Sequence, residues 1–218
     1  MHSLLLPSFG LHAHTALMIY VIIGLAIFSV LMSKRFCLVP GGLQCVLETV
    51  INGLDALVNE TMGLKGRKYL SFVATFAFFI FISSFLGFMP GFIPPTADFN
   101  TTIGLSIIVF CMTHIVGFKE HGIKYLKHFV GPVWWLAPLM IPIELIGHIA
   151  RPVSLSLRLF GNMMGHEQIV GVFLLMMPVA YPLLMLTTGL GMIVIYIQSF
   201  IFSLLTMLYL GGALEEAH

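Results

Sequence analysis

Predominantly apolar stretches of membrane length occupy residues 15–33, 69–89 and 102–118. A spanning helix needs about 20 predominantly apolar residues at 1.5 Å rise each, so each run predicts a transmembrane helix, the third a short one. Between the first two, residues 43–63 follow a different rule. Leu43, Val46, Leu47, Val50, Ile51, Leu54, Leu57 and Val58 recur at helical spacing, while Gln44, Glu48, Asn52, Asp55 and Asn59 fill the other face. That pattern predicts an amphipathic helix lying along the membrane, packed as scaffold on protein or lipid. Its charges are acidic, so attraction to anionic headgroups does not account for it.

Two longer helix-compatible stretches follow, 138–177 and 179–213, with Pro178 and Pro182 at the turn between them. Forty residues make about 60 Å of helix, twice the hydrocarbon thickness of about 30 Å. A pair of such helices must tilt or kink strongly. The expected fold class is therefore an all-α polytopic membrane protein in one domain, 1–218. Three spans and an interfacial helix precede a hairpin of two long, strongly tilted helices.

Composition agrees with that pattern. Of 218 residues, 59% are hydrophobic and 9% charged, too apolar for a soluble fold of this size. The net charge of +1 provides no basic field for nucleic acid. The leader before residue 15 has no Lys or Arg, so no cleavable signal peptide is expected. Lys34-Arg35, Lys65-Arg67-Lys68 and Lys119-Lys124-Lys127 all fall on one side of this topology, and the opposite loop, 90–101, carries only Asp98. The positive-inside rule makes the basic side cytoplasmic and the N-terminus external. The C-terminus is then cytoplasmic.

The stretch 138–177 carries the residues that cost most in lipid. Glu144, Arg151, Arg158 and Glu167 stand with His148, Asn162 and His166 in an apolar frame. At 100° per residue, Arg151 lies about 20° from Arg158, with Glu144, Ser154 and Asn162 about 40° to either side. His166 falls at about 80° and Glu167 at about 180°. An arginine near the centre of a membrane helix costs about 2.5–3.5 kcal/mol on insertion scales, and it stays charged. Arg151 is open to a structural reading, paired with Glu144 or Glu48 simply to neutralise charge, and Glu167 to one as an interface residue near the outer surface. Arg158 is not: Glu144 and Glu167 are 14 and 9 residues away, beyond the reach of an i, i+4 pair. Its counter-ion must come from another helix or another chain.

No cofactor is expected. Cys37, Cys45 and Cys111 form no ligand pair or disulfide framework. His148 and His166 lie about 27 Å apart along one helix, and a charged stretch separates His114 from His128. His2, His12 and His14 are terminal.

The stretch RPVSLSLRLFGNMMGHE at 151–167 closely resembles the signature of the a subunit of F-type ATP synthases. PTADFNTT at 95–102, Ile143-Glu144-Leu145 and IQSFIF at 197–202, ahead of Glu215-Glu216, resemble further family stretches in the same order. The resemblance runs from about Leu43 to His218. It implies a stator subunit beside a rotating ring of c subunits, held by b-type peripheral stalk subunits in a lipid bilayer, most simply a bacterial inner membrane. By the resemblance Arg158 faces the ring carboxylates between two offset half-channels and blocks direct proton passage. Asn162, Glu167 and Gln198 match outer half-channel positions, with Asp98 near the mouth, and Glu144, Arg151 and Ser154 match cytoplasmic ones. Some family members carry a histidine where this chain has Gly191, a place His166 is expected to fill in function. The coupling ion implied is H+, with Na+ open.

Three other readings compete. A transporter or channel acting alone predicts an internal repeat, and none is found. A haem-binding respiratory subunit predicts facing imidazoles, and a pure anchor leaves Arg158 unexplained. The sequence has no phosphate loop, so no catalytic site for ATP chemistry is expected in this chain.

Overall fold

In the computed structural model, residues 13–34, 41–87, 94–122, 137–176 and 181–214 are described. Among the described residues six α-helices follow one another: α1 Ala13–Ser33, α2 Gly42–Gly66, α3 Leu70–Leu86, α4 Phe99–His121, α5 Ala137–Leu175 and α6 Tyr181–Leu214. One-turn 3₁₀ segments, Arg67–Tyr69 and Pro95–Ala97, precede α3 and α4. No strand occurs among the described residues. Several sequence expectations fall outside them: the span ends at 88–89 and 177–180, Cys37, Arg35, Lys124, Lys127, His2, His12, His128, Glu215 and Glu216.

Among the described residues four helical stretches are long and apolar enough to cross a membrane: Thr15–Ser33, Gly42–Leu86, Phe99–His121 and Pro182–Leu214. The chain is an all-α polytopic membrane protein. Its longest helix, α5, stands outside that set because Glu144, His148, Arg151 and Arg158 interrupt its apolar length.

Local chemistry moves some boundaries. Helix α4 begins at Phe99 rather than 102, because Asp98 caps it, accepting from the Asn100 backbone N–H at 3.4 Å and the Thr101 hydroxyl at 3.5 Å. Near the end of α2, Gly63 takes φ 64° and ψ −169°, a conformation open to glycine, and the helix kinks there.

The amphipathic pattern of α2 divides along its length. Leu54, Val58 and Met62 are buried against Val73 of α3, Val116 of α4 and Met207, Leu210 and Leu214 of α6. Leu43, Val46 and Val50 stay exposed at the surface of the chain. The contact with α6 is a backbone contact: a Cβ on Gly211 would stand 3.0 Å from the Thr61 carbonyl oxygen, whereas one on Gly212 would meet nothing within 4 Å.

A second core cluster holds α1, α3, α4, α5 and α6 together through Val21, Phe76, Phe79, Ile80, Leu105, Val109, Leu155, Leu159 and Phe202. Phe202 is completely buried and stacks on Phe76 at 6.1 Å between ring centroids. The Ser199 hydroxyl donates to the Ala77 carbonyl at 2.8 Å, tying α6 to α3. This core lies directly behind Arg158.

Candidate functional site

Helix α5 has two unlike faces around Arg158. Leu155, Ser156, Leu159 and Met163 turn inward and are buried, while Ser154, Leu157, Arg158 and Asn162 turn outward and are exposed. The helical period dictates this split, since residues three and four apart share a face. Among the described residues Arg158 makes no ion pair and no hydrogen bond. The guanidinium therefore stands on the outer face of α5 beside the exposed Leu157, without a partner among the described residues.

Toward the C-terminal end of α5, polar groups converge. Asn162 Nδ2 donates to Gln198 Oε1 at 2.8 Å, bridging α5 and α6, and Gln198 is buried. Beside this bridge lies a cavity of about 370 Å³, whose walls include Ser84, Asn162, His166, Thr187, Gly191 and Gln198. His166 and Gly191 thus share one space. Glu167 is exposed on the outside of α5 and does not line it. Asp98 serves the α4 cap at the same end, where Phe99 meets Phe160 edge-on at 5.6 Å.

Toward the N-terminal end of α5 the arrangement is tighter. Arg151 sits over the Tyr209 ring of α6 at 5.4 Å, a cation–π contact in place of the carboxylate pairing weighed from the sequence. Glu144 instead approaches His148, Oε1 to Nε2 at 3.8 Å. His148 is buried, and its ring stands 5.2 Å from that of His114 on α4. A cavity of only about 10 Å³ lies here, lined by Ser106, Thr113, His114, His148, Arg151 and Tyr209 among others. That is about one water in size.

The contacts also fix how the helices run. Arg151 meets Tyr209 and Asn162 meets Gln198, so α5 and α6 are antiparallel; Phe99 meets Phe160 and His114 meets His148, so α4 and α5 are too. Of the sequence-predicted residues, Asn162, His166 and Gln198 come together at one cavity, and Arg151 stands at the other, with Glu144 beside its His148. Ser154 shares the outer face with Arg158, and Glu167 and Asp98 remain apart from both cavities. His114 and Tyr209 were missed as members of the second group. His114 had been weighed only as a metal ligand with His128, and no helical period links α4 to α5. No cluster fit to hold a metal occurs among the described residues.

Residues 14–211 match the ATP synthase A chain family. The chain is 52% identical over 205 residues to ATP synthase subunit a 1 of Syntrophotalea carbinolica, covering 94% of this chain and 86% of that one. It is 52% identical over 198 residues to ATP synthase subunit a of Geobacter sulfurreducens, covering 91% and 86%. A subunit a of Trichlorobacter lovleyi is 50% identical over 198 residues, covering 91% and 85%.

Proposed function

The chain belongs to the ATP synthase A chain family, a membrane part of the rotary, proton-transporting ATP synthase, and from this we propose that it forms two offset half-channels against a rotating c-ring, with Arg158 facing the ring carboxylates. One observation carries the reading: Arg158 is exposed on an apolar helix face with no in-chain partner among the described residues, between two separate polar groups. Leaving a charge so placed is costly unless a partner arrives. A carboxylate of the ring, moving past in the bilayer, supplies that partner in turn. Its ionised form is favoured while it faces the guanidinium, so an arriving site gives up its proton there. The same fixed charge repels a proton moving directly from one half-channel to the other.

In this reading the outer half-channel is lined by Asn162, Gln198 and His166, with Glu167 and Asp98 toward its mouth. The cavity of about 370 Å³ has room for several waters and supports an aqueous path on that side. Because His166 and Gly191 line the same cavity, an imidazole from α5 reaches the space that one at position 191 would occupy. Glu144, Arg151 and Ser154 belong to the cytoplasmic half-channel. The length of α5, 39 residues or about 58 Å, supports strong tilt of the α5–α6 hairpin across the bilayer. The positive residues orient the N-terminus outward and the C-terminus toward the cytoplasm of a bacterial cell. The b-type stalk subunits hold the chain against rotation, and ATP chemistry belongs to other chains of the complex.

The test is proton-driven ATP synthesis in vesicles carrying the assembled complex. Arg158→Ala is expected to abolish coupled synthesis while assembly persists; synthesis at near the unmodified rate defeats the assignment. His166→Ala is expected to slow proton flux several-fold, short of the roughly 10²-fold at the lower end of acid–base contributions because channel water can stand in for the imidazole. Unchanged flux removes His166 from the outer path.

A further inference from the structure

On the narrow side of Arg158, two imidazoles from different helices meet inside the protein. The ring centroids of His114 and His148 are 5.2 Å apart with the planes at 66°. His114 Nδ1 lies 2.9 Å from the Phe110 carbonyl oxygen. A carbonyl only accepts, so Nδ1 carries the hydrogen and Nε2 is the basic atom of the neutral ring. His148 is 5% exposed, and its Nε2 faces Glu144 Oε1 at 3.8 Å. Glu144 is the more open of the two, with 28% of its side chain exposed against 6% for His148. Among the described residues, charged and titratable groups that face the pair include Glu144 and Arg151 from α5 and Tyr209 from α6, the last two lining the same small cavity.

We propose that His114 and His148 form a proton relay, a half-buried and a buried imidazole in contact that carry protons between the ring-facing side of α5 and the more open Glu144. The proposal rests on the half-channel reading and adds to it two residues that the sequence motifs did not assign. Two observations and one chemical property converge on it. The rings come from two helices and lie in contact, so that rotation of a side chain, with no movement of either helix, brings their nitrogens within reach of one another. The cavity beside them is about 10 Å³, room for about one water and not for a continuous file. Side chains must therefore carry the proton where water cannot. Imidazole is also the side chain whose ordinary charge change falls near neutral pH, and its two nitrogens let it accept on one side and release on the other.

The step balances without any further reactant. In the direction of synthesis, an O–H bond of a ring carboxylic acid breaks and an N–H bond forms on the pair, giving one imidazolium. That N–H bond then breaks as an O–H bond forms on Glu144 or on a channel water. The pair returns to neutral, and one proton has moved toward the cytoplasm. In hydrolysis the order reverses.

The test uses inverted vesicles containing the whole complex, in which ATP-driven proton uptake is followed while the external pH, the cytoplasmic-side pH, is varied between about 5 and 8. His148→Gln, His114→Gln and the double variant are compared with the unmodified complex and with Arg158→Ala. Each single glutamine variant is expected to pump about tenfold or more slowly and with a flattened pH dependence. The double variant should be no slower than the worse single, because the pair acts as one unit. Rates within about twofold of the unmodified complex at every pH overturn the relay. So does an equal fractional loss at all pH, or losses that multiply in the double variant, either of which marks packing roles. His114 stands on the other helix, so its variant carries the test if His148→Gln fails to assemble. Failure of the half-channel reading itself has a separate signature, continued coupled pumping by Arg158→Ala.

Discussion

The two ends of α5 solve the burial of polar groups in opposite ways. Beyond Arg158, Asn162 and Gln198 bridge α5 and α6 beside a cavity of about 370 Å³, so polar atoms there are served by each other and by room for water. Before Arg158, His114, His148, Arg151 and Tyr209 surround about 10 Å³, and the polar groups there are met by neighbouring backbone and side-chain atoms with little room for water. The difference teaches that one helix can hold a wet region and a dry one on either side of a single charge, provided the wall behind that charge is rigid. Leu155, Leu159 and Phe202 form that wall.

The contrast can be broken most severely at the shared wall. Phe202→Ala removes a completely buried ring packed on Phe76, and about 3–5 kcal/mol of stability should go with it, lowering the thermal midpoint of the purified complex and slowing flux at both ends. A loss below about 1 kcal/mol would mean that the two ends do not depend on a common core. On the dry side, Tyr209→Leu takes the ring from beneath Arg151 where little water can replace it. The expected cost is about 2 kcal/mol, the desolvated value of a cation–π contact, while Tyr209→Phe keeps the ring and should be near neutral. Equal effects of the two substitutions would point to the hydroxyl instead. On the wet side, Gln198→Leu strands Asn162 Nδ2 at the edge of a cavity that water can enter. The loss should stay near the lower end of the 1–3 kcal/mol range for an unpaired buried group, about 1 kcal/mol by melting of the complex. A cost above that of Tyr209→Leu would reverse the assignment of wet and dry.

How much of this could be read from the chain depended on whether a periodicity existed to be read. Helix α2 announced itself because Leu54 and Val58 repeat at helical spacing against Asp55 and Asn59, and those apolar residues are the ones buried on α3, α4 and α6. The stripe from Arg151 to Asn162 was legible for the same reason. Helix α4 is apolar nearly all round, so nothing in its spacing says which side meets α5, and the His114–His148 contact was hidden. The partner of Arg151 was sought among carboxylates because charge suggests charge. Tyr209, 58 positions along the chain, carries no mark in sequence of lying beneath a guanidinium. The early start of α4 was readable in principle, since Asp98 before a helix is a capping signal. A hydropathy count sets Asn100 and Thr101 outside the span and so misplaces the boundary.

The close approach of Gly211 to Thr61 has a consequence for how the gene can change. Two adjacent glycine codons end the long last helix, and only one of them is pinned by its neighbourhood. At Gly212 an added methyl meets open space, so drift to alanine should pass unnoticed by selection. At Gly211 the same change presses on a main-chain carbonyl of another helix, which no side-chain rotation can move aside. Lineages that lose the second glycine and keep the first would be retaining the seat of α2 against α6.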